Sequence, residues 1–510
     1  MADEKRITAQ SEDFDRWYTD VVRRAELADY SPVRGCMVIR PYGYALWEHI
    51  QRALDDMIKR TGHENMYFPL LIPESYLAKE ADHVEGFDPQ VAWVTRGGGK
   101  DLEERLAIRP TSETIICSMY KDWIHSWRDL PVKINQWVNV VRWEHRTRLF
   151  LRTTEFLWQE GHTFHQLDSE AAEEVDTMLD CYRELTEDWL AIPVIKGRKT
   201  ESEKFPGARY TESIEAMMSD GLALQSGTSH HLGQNFTRAY DIAYSDRENQ
   251  RQHPFQTSWG LSTRTVGAVI MAHGDDMGLI LPPKVAPIQV IVVPITRSND
   301  EAGTAVVEEA TARLERECPA GVRLRVDRRD GMRPGEKYAH WELRGVPLRI
   351  VVGAKDLADG NVTLVRRLDR TQEAVPIADL AASLPDRLVT TQQAMLDRAR
   401  QRLEERSVDV TTLDALVAAF AELPVFATAP MCNTKACETA VKSAVHALTV
   451  RVLRADLSLW DAAFGPIRHP EHLLRSRRGL HHHRACRRLS RRWAPGGDVR
   501  HRAHSRDRGA

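Results

Sequence analysis

The sequence predicts an α+β protein in which an antiparallel sheet flanked by helices is followed by a separate α/β domain. Residues 137–162 contain two strand-like runs joined by a basic loop, which is the pattern of an antiparallel hairpin. Residues 11–28 and 43–61 carry apolar side chains at helical spacing. From residue 287 onward strand and helix patterns alternate, as they do in a compact α/β unit. A chain of 510 residues also exceeds what one hydrophobic core usually organises.

Composition indicates a globular protein of the cytoplasm. Hydrophobic residues make up 42% of the chain and charged residues 28%. No apolar run approaches the ~18 residues that a membrane-spanning helix needs, and residues 1–6 lack the apolar core of a signal peptide. The seven cysteines are scattered and odd in number, which argues against a disulfide framework. We therefore expect no membrane association.

The charge is unevenly distributed along the chain. The net charge is −3, yet residues 451–510 contain 15 arginines, no lysine and only 5 acidic residues. The preceding residues are therefore acidic overall. Any contact between that acidic part and a nucleic acid would have to come from local basic patches.

The first 75 residues are expected to form two amphipathic helices and short strands. Ser11, followed by two acidic residues, is a plausible start for the first helix. Residues 34–41 turn at Gly35 into a short strand, and the second helix ends at Gly62. Residues 65–73 read as one strand bounded by prolines, a pattern that favours a sheet edge or an interface.

The hairpin of residues 137–162 places charged and aromatic side chains on one surface. Alternation along the first run puts Val140, Arg142 and Glu144 on the same face. In the second run, the side chains that share a face are Phe156, Trp158, Glu160 and His162. The loop adds cations suited to a nucleoside triphosphate, namely Arg146, Arg148 and Arg152. The pattern predicts a polar pocket; the alternative is a surface hairpin with ordinary ion pairs.

Residues 97–100, three glycines and a lysine, invite comparison with a phosphate-binding loop. Such a loop needs an earlier glycine, where this chain has Val94, and a serine or threonine after the lysine, where it has Asp101. Consecutive glycines chiefly mark turns, so we expect a mobile hairpin tip. No dinucleotide-binding glycine fingerprint occurs elsewhere, so a nucleotide would bind in another architecture.

Residues 109–114 allow two interpretations. Thr111 could cap a helix whose first turn contains Glu113. Alternatively, Thr111 and Glu113 jointly accept hydrogen bonds from the cationic amine of a substrate. Spacing alone leaves both open.

Residues 225–236 place small and polar side chains in a strand-like run, and such departures from local preference often mark a site. His230 and His231, together with His162 and His165, raise the question of a metal. Adjacent histidines of a strand point to opposite faces, and no carboxylate or cysteine spacing completes a ligand set. No metal is expected there.

Residues 258–267 are predicted to open a helix that runs to about His273. Arg264 falls within its first two turns, where the helix dipole disfavours a cation unless an anion is present. We therefore expect the helix N-terminus and Arg264 to hold a phosphate-bearing or adenine-stacking ligand.

Five ordered motifs resemble those of class II aminoacyl-tRNA synthetases, specifically prolyl-tRNA synthetases of the archaeal and eukaryotic type. Residues 43–69 are similar to the first class motif. The second is similar to residues 142–162, and the third to residues 260–264. Residues 109–113 and 227–233 resemble the signatures of the proline enzymes. The resemblance extends over about residues 11–440.

The resemblance implies a role for each candidate residue. The proline imino group and ring would be surrounded by Thr111, Glu113 and His230. The same pocket would be lined by Trp158, Glu160 and His162. Arg142 would bridge the proline carboxylate and the ATP α-phosphate. Those that would hold ATP with it are Glu144, Arg152, Thr153, Phe156, Gln225, Thr228 and Arg264. Phe156 and Arg264 would sandwich the adenine, and Arg142 and Arg264 are the candidate catalytic residues.

The implied reaction activates L-proline with ATP and Mg²⁺ and transfers it to tRNA(Pro). Residues 163–257 leave no space for the large editing domain of the bacterial type. Alanine and cysteine should therefore be charged at a low rate, because one methylene is worth only ~1–3 kcal/mol. The first motif implies a homodimer. The alternative is a non-catalytic paralogue, which would be expected to have lost Arg142, Arg264, Thr111 or Glu113; none is missing.

The expected domains are a catalytic domain (1–285), an α/β anticodon-binding domain (286–400), a partial C-terminal domain (401–450) and a tail (451–510). Residues 333–337 and 345–349 resemble the anticodon-binding domain, although a generic oligomerisation domain would show the same alternation. Residues 431–438 resemble half of a zinc-binding domain. Cys432 and Cys437 supply only two of the four ligands that a structural zinc needs, so a complete zinc site is not expected.

The tail is rich in arginine and histidine and lacks lysine, as a shifted reading frame in GC-rich coding sequence would be. We expect it to be largely disordered. The rival interpretation is an evolved polybasic arm for tRNA. Truncation after Val450 distinguishes them: loss of tRNA affinity together with a reduced salt dependence would favour the arm.

Overall fold

The computed structural model describes residues 7–77, 91–297, 299–421, 423–431, 434–445 and 448–452. They fall into a large unit that ends at Arg406 and includes Arg451, and a small unit from Ser407 to Val450. The expectations about Cys432 and about the tail from residue 453 onward lie outside the described residues.

The chain begins with two helices and four short strands: α1 (Phe14–Arg24), β1 (Ala28–Tyr30), β2 (Met37–Ile39), α2 (Pro41–Arg60), β3 (Glu64–Asn65) and β4 (Leu71–Pro73). Asp13, not Ser11, caps α1, because its side chain accepts from the Arg16 N–H at 2.9 Å. The single strand predicted over residues 65–73 is wrong. Two short strands form in different sheets, since the prolines interrupt the run of backbone donors.

The glycine run forms the predicted hairpin. Strands β5 (Trp93–Gly97) and β6 (Lys100–Ile108) are joined by Gly98 and Gly99, whose φ angles are 58° and 82°. Two consecutive positive φ angles are typical of a tight two-residue hairpin turn, and glycine adopts them without a steric penalty. Strand β4 completes a three-stranded sheet.

A seven-stranded sheet organises the first domain of the molecule. Its strands lie in the order β3-β7-β8-β14-β11-β10-β9, and every pair is antiparallel except β3 with β7. The strands added here are β7 (Val132–Val141), β8 (Glu155–His165), β9 (Val194–Arg198), β10 (Tyr210–Met217), β11 (Ala223–Gly233) and β14 (Phe255–Ser262). Strands β12 (Tyr244–Ser245) and β13 (Arg251–Gln252) pair separately.

Helices flank this sheet, which confirms the predicted α+β class. They are α3 (Glu113–Tyr120), α4 (Asp168–Glu184), α5 (Asn235–Ala239) and α6 (Arg264–His273). Two sequence predictions about element ends are wrong. Residues 258–262 are strand rather than helix, and Arg142 and Glu144 lie beyond the end of β7.

The following α/β domain is built on a mixed sheet of order β16-β15-β17-β18-β19. Its elements are β15 (Val290–Ile295), α7 (Glu301–Glu317), β16 (Leu324–Val326), α8 (Pro334–Leu343), β17 (Leu348–Gly353), α9 (Ala354–Ala358), β18 (Asn361–Arg366), β19 (Gln372–Pro376) and α10 (Ile377–Glu405). The alternating pattern of the sequence did not predict two short elements of this domain, α9 and β19, which are five residues each.

One hydrophobic cluster joins the two domains. It contains Trp17 and Ile270 from the domain of the seven-stranded sheet, and Ile291, Trp341 and Val346 from the α/β domain. Polar contacts run alongside it. Arg398 of α10 donates to the His273 carbonyl at 3.1 Å, where α6 ends.

The small unit contains a parallel strand pair and two helices: β20 (Ser407–Asp409), α11 (Leu413–Ala419), β21 (Phe426–Thr428) and α12 (Lys435–Ala444). Val410, Leu416 and Val441 form its core. Within the described ranges, no helix is both long and apolar enough to cross a membrane.

Candidate active site

A cavity of about 690 Å³ opens over one face of the seven-stranded sheet. All fourteen candidate residues from the sequence line it: Thr111, Glu113, Arg142, Glu144, Arg152, Thr153, Phe156, Trp158, Glu160, His162, Gln225, Thr228, His230 and Arg264. They come from segments more than 150 residues apart in the chain. The sheet therefore assembles in one place what the sequence presents as separate motifs.

Strand β8 supplies the cavity wall through simple alternation. Phe156, Trp158, Glu160 and His162 all reach the cavity, as their spacing predicts. The residue between the last two must be glycine. A Cβ at Gly161 would lie 2.0 Å from the indole of Trp259, which covers the opposite side of the strand.

Thr111 and Glu113 form a buried pair. The Thr111 hydroxyl donates to Glu113 Oε2 at 2.5 Å. The helix-cap interpretation of Thr111 is wrong, because Ser112 is the residue that precedes α3. Thr111 therefore holds the carboxylate of Glu113 in the cavity.

Glu160 has a carboxylate that the protein itself satisfies. It accepts from the Ser112 N–H at 3.2 Å, from the Ser112 hydroxyl, and from Gln136 Nε2 at 2.6 Å. Burial raises the pKa of Glu160, but hydrogen bonds from His162, Ser112 and Gln136 outweigh it, so the pKa lies below the ordinary value. Glu160 is therefore a carboxylate that orders its surroundings.

His162 is the neighbour that this carboxylate orients. Its Nε2 lies 3.2 Å from Glu160 Oε2, while its buried Nδ1 has no partner within the described residues. Trp158 Nε1 and Ser258 Oγ are likewise buried without a partner there. Burial lowers the pKa of His162, but Glu160 and Glu113 raise it by more. The pKa of His162 therefore lies above its ordinary value. Unpaired polar atoms beside an open cavity are what a polar ligand requires.

Arg142 lines the cavity and keeps most of its donors available. Its Nε donates to the Pro110 carbonyl at 3.0 Å. The guanidinium carbon lies 5.0 Å from the Trp158 ring centre and 5.6 Å from that of Phe156. The two terminal nitrogens make no hydrogen bond within the described part of the chain, so the planar fork is available for a bidentate anion.

Two further arginines that line the cavity, Arg152 and Arg264, are held by few contacts. Arg152 Nε donates to Glu144 Oε2 at 2.7 Å, and the Arg152 side chain is 59% exposed. Arg264 is the first residue of α6, and its Nε donates to the Leu151 carbonyl at 3.2 Å. The predicted place of Arg264 at a helix start is confirmed, although that helix begins six residues later than predicted.

Comparison with known families decides what this arrangement belongs to. Residues 93–273 match the class II core domain of tRNA synthetases (G, H, P, S and T), and residues 289–387 match an anticodon binding domain. The chain is 51% identical over 449 residues to the proline–tRNA ligase of Natranaerobius thermophilus, covering 88% of this chain and 92% of that protein. The chain belongs to the proline–tRNA ligase family. Its fold is that of a class II synthetase core followed by an anticodon-binding domain.

Two further relatives give the same result. The proline–tRNA ligase of Chlorobium limicola is 52% identical over 462 residues, with 90% of this chain and 94% of that protein covered. That of a Roseiflexus species is 54% identical over 415 residues, with 80% and 86% covered.

Sequence patterns did not indicate one further segment of this synthetase's cavity. Between β9 and β10 the cavity is also lined by Lys199, Glu203, Lys204, Phe205 and Pro206, and β10 adds Thr211. Lys199 is buried and donates to Glu215 Oε1 at 2.7 Å. The cluster of lysines in residues 196–204 was the signal that could have indicated this segment. A buried lysine needs a partner carboxylate, and no local pattern identifies that partner.

The histidines lie as alternation predicts. His230 lines the cavity, whereas His231 lies on the other face with its Nε2 3.3 Å from Asp168 Oδ1. His165 pairs with Thr163 at 2.7 Å. Across the described ranges, no three His, Cys, Asp or Glu residues are grouped so as to hold a metal ion.

Proposed function

We infer that the protein is a proline–tRNA ligase. It activates L-proline with magnesium ATP to prolyl-adenylate and transfers the prolyl group to the 3′ end of tRNA(Pro), releasing AMP and diphosphate. The observation that carries this inference is the cavity, in which an available arginine fork lies beside a buried acid network. Curated relatives that share about half of the sequence bear the name of this enzyme.

The residues of the cavity have different roles in this reaction. Glu113, held by Thr111, accepts the proline imino group, and His162 and Trp158 line the ring site with their unpaired donors and acceptors. Arg142 bridges the proline carboxylate and the α-phosphate. The carboxylate oxygen attacks the α-phosphorus, and the bond to diphosphate breaks. The chemistry needs alignment and charge stabilisation rather than a nucleophilic side chain, and fixed alignment can supply ~7–11 kcal/mol of the barrier.

The nucleotide occupies the cationic end. Glu144, Arg152 and Thr153 lie on the loop that follows β7, and Phe156 begins the wall. Gln225 and Thr228 come from β11, and Arg264 comes from α6. In the second step a hydroxyl of the terminal ribose of tRNA attacks the adenylate carbonyl, and AMP leaves. We place the reaction in the cytoplasm, with the rest of translation.

Amino-acid-dependent ATP–diphosphate exchange, run with each of the twenty amino acids, tests the assignment. Proline should support exchange with the highest kcat/KM, and alanine and cysteine should give low rates. Exchange that depends on another amino acid would overturn it. Charging of tRNA(Pro) with labelled proline then tests the second step.

We also propose a two-fold symmetric homodimer formed by α2 and the neighbouring strands β3 and β4. Large hydrophobic side chains lie exposed here, with Tyr67 at 69%, Tyr44 at 42% and Leu71 at 37%. Light scattering should give about twice the chain mass of 58.1 kDa. Tyr67→Glu should shift the protein toward monomer. Val389→Glu, equally exposed on α10 at 68%, should not. A wild-type monomer at working concentration would contradict the proposal.

A further inference from the structure

Thr211 occupies a position in the cavity that the roles above leave unexplained. It lies on β10 directly opposite His230 on β11, and only 2% of it is exposed. Its Oγ1 is 2.9 Å from His230 Nδ1 and 2.9 Å from the backbone nitrogen of Phe205. The side chain therefore connects a candidate substrate-binding histidine with the segment 199–205, which also lines the cavity.

The two contacts determine which atom donates the hydrogen bond between Thr211 and His230. The Phe205 N–H can only donate, so Thr211 Oγ1 accepts from it. A hydroxyl has one proton, and within the described residues His230 Nδ1 is the only other group within hydrogen-bond distance of this oxygen. Were Nδ1 to carry a hydrogen, the Thr211 proton would be buried without an acceptor. The arrangement that satisfies every group has Thr211 donating to Nδ1.

His230 is held as a neutral ring. Burial lowers the pKa of His230 to about 3, with further contributions in the same direction from His162, Arg142 and Lys199 nearby. A neutral imidazole has one hydrogen, and Nδ1 is an acceptor here. The hydrogen therefore lies on Nε2, and the ring offers a donor to a ligand in the cavity.

Thr211 also holds both ends of the segment 199–205, which lines the cavity. Its carbonyl accepts from the Lys199 N–H at 2.8 Å, and its hydroxyl accepts from the Phe205 N–H. Residues 199–205 are thus fastened to one residue at both ends. The Phe205 ring lies 4.8 Å from the His230 ring, centre to centre, so the same segment also packs on the histidine.

We propose that Thr211 is a positioning residue for proline activation: it fixes His230 as an Nε2–H donor, while the same hydroxyl holds the Phe205 end of the segment 199–205. The proposal rests on the proline–tRNA ligase function inferred above. It makes recognition of the amino acid depend on a hydroxyl that also holds a segment contributing Lys199 and Phe205 to the cavity. ATP recognition, at the other end, does not depend on Thr211.

Diphosphate exchange with five variants tests the proposal. Thr211→Val keeps the shape and removes the hydroxyl; we expect the KM for proline to rise about tenfold, the loss typical of one buried hydrogen bond, with the KM for ATP unchanged within about twofold. Thr211→Ser should restore the proline KM. Thr311→Val removes a buried hydroxyl that donates to the Val307 carbonyl at 2.7 Å in the α/β domain, and should leave both constants unchanged.

The last two variants, His230→Ala and the double variant, show whether Thr211 acts through His230. In a His230→Ala background, adding Thr211→Val should cost no further proline affinity, because the group that Thr211 orients is gone. An undiminished effect of Thr211→Val in that background would overturn the proposal, as would a normal proline KM in Thr211→Val alone. Failure of the proposed function is a different result, since the wild-type protein would then show no proline-dependent exchange.

Discussion

The two ends of the cavity, the amino-acid end proposed to bind proline and the nucleotide end proposed to bind ATP, are built differently. At the amino-acid end Glu160, Ser112 and Gln136 form a buried network in which the carboxylate accepts three hydrogen bonds besides its contact with His162. At the nucleotide end Arg152 is exposed, and Arg264 makes one side-chain contact with a backbone carbonyl. A small rigid substrate has few groups to recognise, so its site must be ordered in advance. A triphosphate has many charges and can order its own ligands.

Arg142 is proposed to bridge the proline carboxylate and the α-phosphate of ATP, so its replacement should have the largest effect. Arg142→Lys keeps the charge but loses the planar fork that can serve two oxygens in fixed geometry. We expect kcat/KM for diphosphate exchange to fall by about 10³ or more, in the range seen when a group that stabilises transition-state charge is removed. Arg251→Lys, at an exposed ion pair with Asp241, is the matched control and should be unaffected. Retention of most of the activity would remove Arg142 from the bridging role.

Glu113→Ala should affect the amino-acid end alone. A cationic group left without its acceptor in a buried site costs far more than a surface contact, so recognition of proline should be abolished while the KM for ATP changes little. Steady-state exchange at varied proline and varied ATP separates the two. Glu103→Ala, on the exposed strand β6, provides the control. A normal KM for proline in Glu113→Ala would show that the imino group binds elsewhere.

Gln136→Leu tests whether the network is ordered in advance. Gln136 Nε2 donates to Glu160 and to the Ser112 hydroxyl at 2.8 Å, and its Oε1 accepts from the Phe68 N–H at 3.1 Å. Removing these groups leaves buried partners unsatisfied, so we expect a loss of about 1–3 kcal/mol in unfolding free energy. The KM for proline should rise as well. Denaturant unfolding and exchange kinetics measure both; a stable variant with unchanged kinetics would contradict the idea of a preordered site.

Arg152→Ala should have the smallest effect. Its ion pair with Glu144 is exposed, and exposed pairs contribute ~0–1 kcal/mol. The KM for ATP should rise less than about fivefold, and added salt should shrink the difference between variant and wild type. A loss as large as that of Arg142→Lys would mean that the nucleotide end is as ordered as the other.

Sequence patterns predicted what depends on neighbours in the chain. The shared face of Phe156 and His162 follows from alternation, and the turn at Gly98 and Gly99 follows from glycine geometry. What they missed depends on distant partners. Glu160 reads as a ligand-binding carboxylate until Ser112, 48 positions earlier, is seen to satisfy it. The segment around Phe205 lines the cavity through contacts with Thr211 and His230, which lie on later strands and which no local pattern predicts.

The hydrophobic cluster shared by the two domains also links their unfolding. Trp341 and Val346 of the α/β domain pack in the same core as Ile270 of α6, the helix that begins with Arg264. Neither domain can lose its packing without exposing apolar surface of the other, so the two should melt as one cooperative unit. A cavity introduced at Val346 would therefore raise the unfolded fraction of the whole synthetase. Variants far from the substrates can in this way lower cellular abundance while each remaining folded molecule stays fully active.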